Sequence, residues 1–226
     1  MKFFSVALLV LKKDFAIEMR SYEILSTTLF FAVSCVAIFS FAFVKEGQAE
    51  VDAAAGILWI AIAFAGTLAL GRTFERERYG ETLKALLLAP APRPAIYLGK
   101  LLGIVTLLFV MEILLVPMVA FLFNAPFFAR ADLLIALLGL GTIGYAAVGT
   151  LFAAMLVRAR TRDVMLPILL YPITIPVIIA GVRGTSAVLA SPVDDAVAML
   201  WIGMLAFFDV VFVTLSLWTF EPLMTE

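Results

Sequence analysis

Six stretches of the chain run almost without polar side chains: 24–44, 53–71, 101–123, 133–157, 164–182 and 196–220. Each approaches or exceeds the roughly 20 apolar residues that carry a helix across a hydrocarbon core. Only the third and sixth hold a charge, Glu112 and Asp209 respectively. Strands of a membrane barrel would alternate apolar and polar residues over about ten positions, whereas these runs are continuous. The pattern predicts an all-α polytopic membrane protein: six transmembrane helices in a single transmembrane domain, 1–226.

Ahead of the first run, residues 1–23 predict a helix lying in the membrane interface. Phe4, Ala7, Leu8, Leu11, Phe15 and Met19 fall near one face, while Lys12, Lys13 and Arg20 can reach headgroups. The opening apolar stretch is only nine residues long and no small-residue cleavage site follows at once, so it does not read as a cleaved signal peptide.

Charge gives the orientation. Alternate connections place Lys2, Lys12, Lys13, Arg20, Arg72, Arg76, Arg78, Lys84, Arg93, Lys100, Arg158, Arg160 and Arg162 on one side, against Lys45, Arg130 and Arg183 on the other. By the positive-inside rule both termini are expected in the cytoplasm of a bacterial inner membrane. Since the basic residues serve topology in a chain of net charge −1, nothing points to nucleic acid.

The cytoplasmic loop 72–95, RTFERERYGETLKALLLAPAPRPA, concentrates charge in a protein that is only 15% charged. Gly80 interrupts a continuation of the second span, and Thr82 is a candidate cap for a new helix. Leu83, Leu86 and Leu87 then recur at helical spacing until Pro90, Pro92 and Pro94 block continuation. The result is an amphipathic helix of about two turns, too short to stand alone. It reads equally as a docking element for a partner or as a solvated turn.

Other features bear on packing. The fourth span has Gly139, Gly141, Gly144 and Gly149 beside a row of small residues, Thr142, Ala146, Thr150 and Ala154. Such rows let helices approach closely, within the subunit or at a dimer seam. The fifth span carries Pro167, Pro172 and Pro176 and is expected to be a broken helix. Residues 183–195 are the longest connection on the outer side. Cys35 has no partner in the chain and reads as a small buried hydrophobe.

Absences narrow the chemistry. Without histidine there is no imidazole for haem, zinc or general base catalysis, and no Gly-x-x-x-x-Gly-Lys-Ser/Thr phosphate loop is present. The chain is not an enzyme by this reading; if it works with ATP, another subunit hydrolyses it. Glu112 and Asp209 are candidate buried polar sites, because an acid at mid-membrane must face the protein interior, lose its charge or find a partner. Either a polar gate or an interhelical packing bond would account for them.

Taken together, FERERYGETLKALLLAPAPRPAIYLGK, the approach GILWIAIAFAGTLALGRTFERE and the proline-rich YPITIPVIIAG resemble the haem exporter B (CcmB) family, over essentially the whole chain. This family provides a membrane subunit of an ABC-type cytochrome c maturation complex with the architecture of an ABC-2-type exporter permease. Phe74, Glu75, Glu77, Gly80, Thr82, Leu83, Leu86, Leu87, Leu88, Pro90 and Pro92 match its loop pattern, while Glu81 is an extra residue and Lys84 replaces a usual Glu. The resemblance implies that 72–95 is a coupling loop docking on a cytoplasmic ATPase subunit, CcmA, which binds ATP and Mg. It implies two copies of each subunit, association with CcmC, CcmD and the chaperone CcmE, and haem as substrate of the complex, with no cofactor held by this chain. An exporter permease for a lipid or drug, or an assembly scaffold that transports nothing, are the alternatives.

Overall fold

A computed structural model describes residues 3–45, 48–49, 51–74, 92–157, 159 and 161–223. Among these are seven helices: α1 (Phe3–Ser21), α2 (Glu23–Ala42), α3 (Val51–Arg72), α4 (Arg93–Phe123), α5 (Ala131–Met155), α6 (Arg162–Leu189) and α7 (Asp195–Leu223). All but α1 are long and apolar enough to cross a membrane. Two-residue strands β1 (Val44–Lys45) and β2 (Gln48–Ala49) pair antiparallel between α2 and α3. The chain is an all-α multi-pass membrane protein.

Local chemistry sets several boundaries. Tyr22 takes a left-handed conformation, φ 49°, and so breaks the helical run into α1 and α2. Glu18 then caps α2 from the other side of the break, its Oε1 accepting from the Leu25 N–H at 2.8 Å, which satisfies one of the free donors at a helix start. Helix α4 begins at Arg93, with Pro92 extended at the cap and Pro94 in the first turn. That is where proline is tolerated, because its missing N–H would have no partner anyway. The helix therefore starts two turns before the apolar run at 101, and Lys100 lies inside it.

Two expectations are corrected. Helix α6 is not broken at Pro167, Pro172 and Pro176; it runs unbroken through all three to Leu189. Proline's fixed φ is itself helical, so each one removes a single backbone hydrogen bond rather than the helical path. In the same stretch the Thr174 hydroxyl donates to the Leu170 carbonyl at 2.9 Å. The second correction follows from the length of α6: residues 183–189 are helical and only 190–194, with a cis Ser191–Pro192 peptide, connects to α7.

Helices α3 and α5 are the most enclosed spans, while α2 and α7 turn most of their length outward. Helix α3 packs on α2, α4, α5 and α6, and α5 packs on α4, α6 and α7. At the centre the buried indole of Trp59 lies close against Gly141 of α5 and Gly181 of α6, where any added Cβ would collide with it. Its Nε1 donates to Thr185 Oγ1 of α6 at 2.9 Å. About two turns further, a Cβ on Gly66 would come within 2.7 Å of the Tyr145 ring, and Gly149 receives Leu70. Three of the α5 glycines thus serve packing within the chain: Gly141 and Gly149 admit side chains of α3, and Gly144 admits α7, whereas a Cβ on Gly139 would meet nothing within 4 Å. Ala146, Thr142, Thr150 and Ala154 are buried alongside them. Cys35 is half-buried rather than enclosed, because α2 covers the bundle with one face only.

Replacing Trp59 with Ala removes both the wedge and the Thr185 bond. The expected loss is about 3–5 kcal/mol, read as a lower unfolding temperature in detergent. A melting curve like that of the wild type would show that the wedge does not organise the bundle.

Candidate functional site

The end of the bundle rich in Lys and Arg gathers its charge around one point, the C-terminal end of α3. A helix end leaves its last carbonyls without intrahelical donors and carries partial negative charge. Here two buried cations from neighbouring helices supply the donors. Arg162, at the first position of α6, donates from Nη2 to the Leu70 carbonyl at 3.1 Å. Lys100 of α4, 2% exposed, donates from Nζ to the Thr73 carbonyl at 3.1 Å. The same ammonium pairs with Asp14 Oδ2 of α1 at 2.8 Å and sits 5.2 Å from the centre of the Phe74 ring. At the rim Arg72 pairs with Glu23 of α2 at 3.0 Å, both exposed. The exposed pair adds little. The Lys100–Asp14 pair is more enclosed: Lys100 is buried, while Asp14 is 25% exposed and also pairs with Lys13 at 3.1 Å.

Helix α1 reaches this cluster because it lies tightly along the start of α4. Val6, Ala7 and Val10 are buried, and a Cβ on Gly99 would be 2.7 Å from both the Ala7 carbonyl and Val10 Cβ. Phe4, Leu8, Phe15 and Met19 stay exposed on the outer side, so α1 has an apolar face turned away from the bundle as well as one packed into it.

Half-way along the spans lie the two acids. Glu112 of α4 is buried and accepts a hydrogen bond from the Thr142 hydroxyl of α5. Asp209 of α7 is buried against Phe208 and the bare backbone of Gly144, and neither of its carboxyl oxygens has a partner among the described residues. Both acids face the interior, but on different helix pairs. A second mid-membrane network joins three helices: Tyr145 of α5 donates to the Ala63 carbonyl at 2.7 Å, and Thr67 of α3 lies 2.7 Å from the Tyr145 hydroxyl and donates to Tyr171 of α6 at 3.0 Å. At the opposite end, Arg130 bridges Asp132 and Asp195, tying the start of α5 to the start of α7. Hydrogen bonds to Asp132 and then Asp195 raise the affinity of the Arg130 guanidinium for its proton.

Of the residues singled out from sequence, Glu75, Glu77, Gly80, Thr82, Leu83, Leu86 and Leu87 lie outside the described residues. Phe74 is fully buried, its ring beneath Lys100, and faces inward. Pro167, Pro172 and Pro176 lie within one continuous helix, α6. Sequence reasoning missed Lys100 and Arg162, which it counted only as topology charges, and gave Asp14 no role. The available signal was position: Arg162 opens α6 just ahead of an apolar run, and Lys100 stands immediately before the run at 101.

With this arrangement in view, comparison with known proteins becomes decisive. The model of the CcmB protein family matches residues 5–222. The chain belongs to the CcmB protein family. Similar curated members of comparable length are the Heme exporter protein B of Rhodobacter capsulatus, 29% identical over 76% of this chain and 78% of that protein, and that of Pseudomonas aeruginosa, 27% identical over 82% of each. The Heme exporter protein B of Haemophilus influenzae is 28% identical over 75% of this chain and 76% of its own length. A CcmB chain of this kind is a multi-pass membrane component, and its match spans all six candidate membrane helices.

The tight fit of Asp209 over Gly144 is testable. Gly144→Ala should destabilise the CcmB fold by about 1–3 kcal/mol through overpacking, and Asp209→Ala in the same chain should return most of that loss. Thermal unfolding of the single and double variants checks it; independent, additive effects would mean the two residues do not share the site.

Proposed function

We propose that this chain is the permease subunit of an ABC-type haem exporter that serves cytochrome c maturation. The observation that carries the proposal is the family match over residues 5–222, covering the loop 72–95 and every span. Relatives named Heme exporter protein B along most of the chain support the substrate class. The sequence has no phosphate-binding loop, so in this reading a separate cytoplasmic subunit, CcmA, binds ATP and Mg and hydrolyses the nucleotide. The energy is used to handle haem and to release the haem-loaded chaperone CcmE, with CcmC and CcmD in the same assembly and this chain present in two copies.

The orientation follows from Lys and Arg: the cluster around Lys100 faces the cytoplasm of a bacterial inner membrane, as do both termini. Haem is cargo of the complex rather than a resident cofactor of this chain, in keeping with the absence of histidine. Glu75, Glu77, Gly80, Thr82, Leu83, Leu86 and Leu87 form the docking surface for the ATPase, with the leucines seated in an apolar groove and the acids at its rim. Glu112 and Asp209 hold helices together or serve as a polar gate, and Asp209→Asn separates these roles by removing charge while keeping shape.

Deleting the gene and staining membranes for covalently bound haem tests the pathway. The expected outcome is loss of mature c-type cytochromes, restored by this chain; normal cytochromes in the deletion strain would refute the proposed substrate. Replacing Leu83 and Leu86 together with Asp should abolish co-purification with the ATPase while membrane insertion is kept. Wild-type stoichiometry in that variant would place docking elsewhere.

A further inference from the structure

The buried ammonium of Lys100 touches three separate pieces of chain at once. Thr73 and Phe74 are the last described residues before 75–91, Lys100 itself lies two turns into the helix that follows that segment, and Asp14 belongs to the N-terminal helix. A lysine suits this position because its three N–H donors point in different directions from one centre. One meets the Thr73 carbonyl, another the Asp14 carboxylate, and the charge lies within the roughly 6 Å at which an aromatic face attracts a cation. Next to it, Arg162 holds the Leu70 carbonyl from α6, and Arg72 reaches Glu23 of α2. The inner ends of α1, α2, α4 and α6 are therefore all linked to the last turn of α3, and Lys100 supplies the only one of these links that joins three helices among the described residues.

We propose that Lys100 is a positioning residue for energy coupling: it staples together the two roots of the segment 75–91 and ties them to α1, so that a displacement of these roots moves α1, α3 and α4 as one body. The inference rests on the reading above that the segment receives an ATP-hydrolysing partner. The buried ammonium stiffens this joint, because sliding α4 against α3 would strip it of the Thr73 carbonyl and part it from Asp14, which is costly for a charge in a low-dielectric setting. An apolar residue of similar length could fill the volume but would remove the donor to the Thr73 carbonyl and the link from Asp14 to α4, leaving Asp14 its pair with Lys13 on its own helix.

The test uses the whole complex, with its ATPase, and compares Lys100→Met, Lys100→Arg, Asp14→Asn and a control at the exposed Lys12, Lys12→Met. Three quantities are read: stoichiometry of the co-purified ATPase, ATP turnover, and mature c-type cytochrome formed per cell. For Lys100→Met the expected result is intact stoichiometry and continued ATP turnover with cytochrome maturation lowered about tenfold, within the usual range of coupling between sites. Asp14→Asn should show the same split, Lys100→Arg should recover part of the maturation, and Lys12→Met should match the wild type. If Lys100→Met fails to fold, Asp14→Asn carries the same test from a partly exposed position. Wild-type maturation in Asp14→Asn and Lys100→Met, or a loss of maturation that only follows loss of assembled complex, overturns the inference. Failure of the wild-type chain to co-purify with an ATPase would instead refute the functional reading, and the two failures are thus distinguishable.

Discussion

The close contact of the Trp59 indole with two glycines sets the spacing of the bundle. Between helices in lipid there is little hydrophobic drive, since acyl chains are as apolar as leucine, and association depends on close packing and interhelical hydrogen bonds. Trp59 supplies both: the ring fills the space left at Gly141 and Gly181, and the Nε1–Thr185 bond fixes its rotation. With α3, α5 and α6 locked at that depth, Tyr145, Thr67 and Tyr171 come within hydrogen-bonding range a turn or two further along. Leu70 then seats on Gly149, and the end of α3 arrives where Arg162 and Lys100 can hold its carbonyls.

Polar groups are used differently along the depth of the molecule. At mid-span they are mostly neutral groups, bonded across helices as at Trp59 and Tyr145 or to their own helix as at Thr174, beside two acids, Glu112, bonded to Thr142, and Asp209, held over Gly144. At the ends they are ions. The basic end concentrates them on helix termini, where unsatisfied carbonyls and the helix dipole favour cations; the other end has the exposed Arg130 bridge to Asp132 and Asp195. Strength follows burial. Exposed bridges are screened and weak, while the Lys100 ammonium, itself enclosed, holds the Thr73 carbonyl and Asp14 more firmly.

Glycine and proline were the hardest residues to read. The row on α5 announces a close approach but not the partner: that Gly141 faces Trp59 and Gly144 faces Asp209 depends on helix rotations that no local pattern encodes. The prolines of α6 carry a strong local signal for interruption, yet the helix continues, because packing on α3, α5 and α7 outweighs the few missing backbone bonds. Local propensity is a weak guide where tertiary contacts supply most of the stability. The loop 72–95 is the reverse case, for its leucine spacing and prolines are plain in the sequence, and Glu75, Glu77, Gly80, Thr82, Leu83, Leu86 and Leu87 lie outside the described residues.

Composition and apolar run length were enough to determine six membrane helices and the all-α class, because lipid leaves a backbone so few ways to bond itself. The Lys and Arg positions supplied an orientation, and the motifs of 74–100 and 171–181 pointed to the family that the match over 5–222 establishes. Only the tertiary structure decided that Phe74 turns inward, that α6 is continuous, and that Lys100, Asp14 and Arg162 converge on the end of α3. Those facts depend on residues 86 and 92 positions apart in the chain, Asp14 and Lys100, and Leu70 and Arg162. Charge at a helix end looks the same in sequence whether it meets water or a neighbouring carbonyl, and only the packing of α1, α3, α4 and α6 makes the difference.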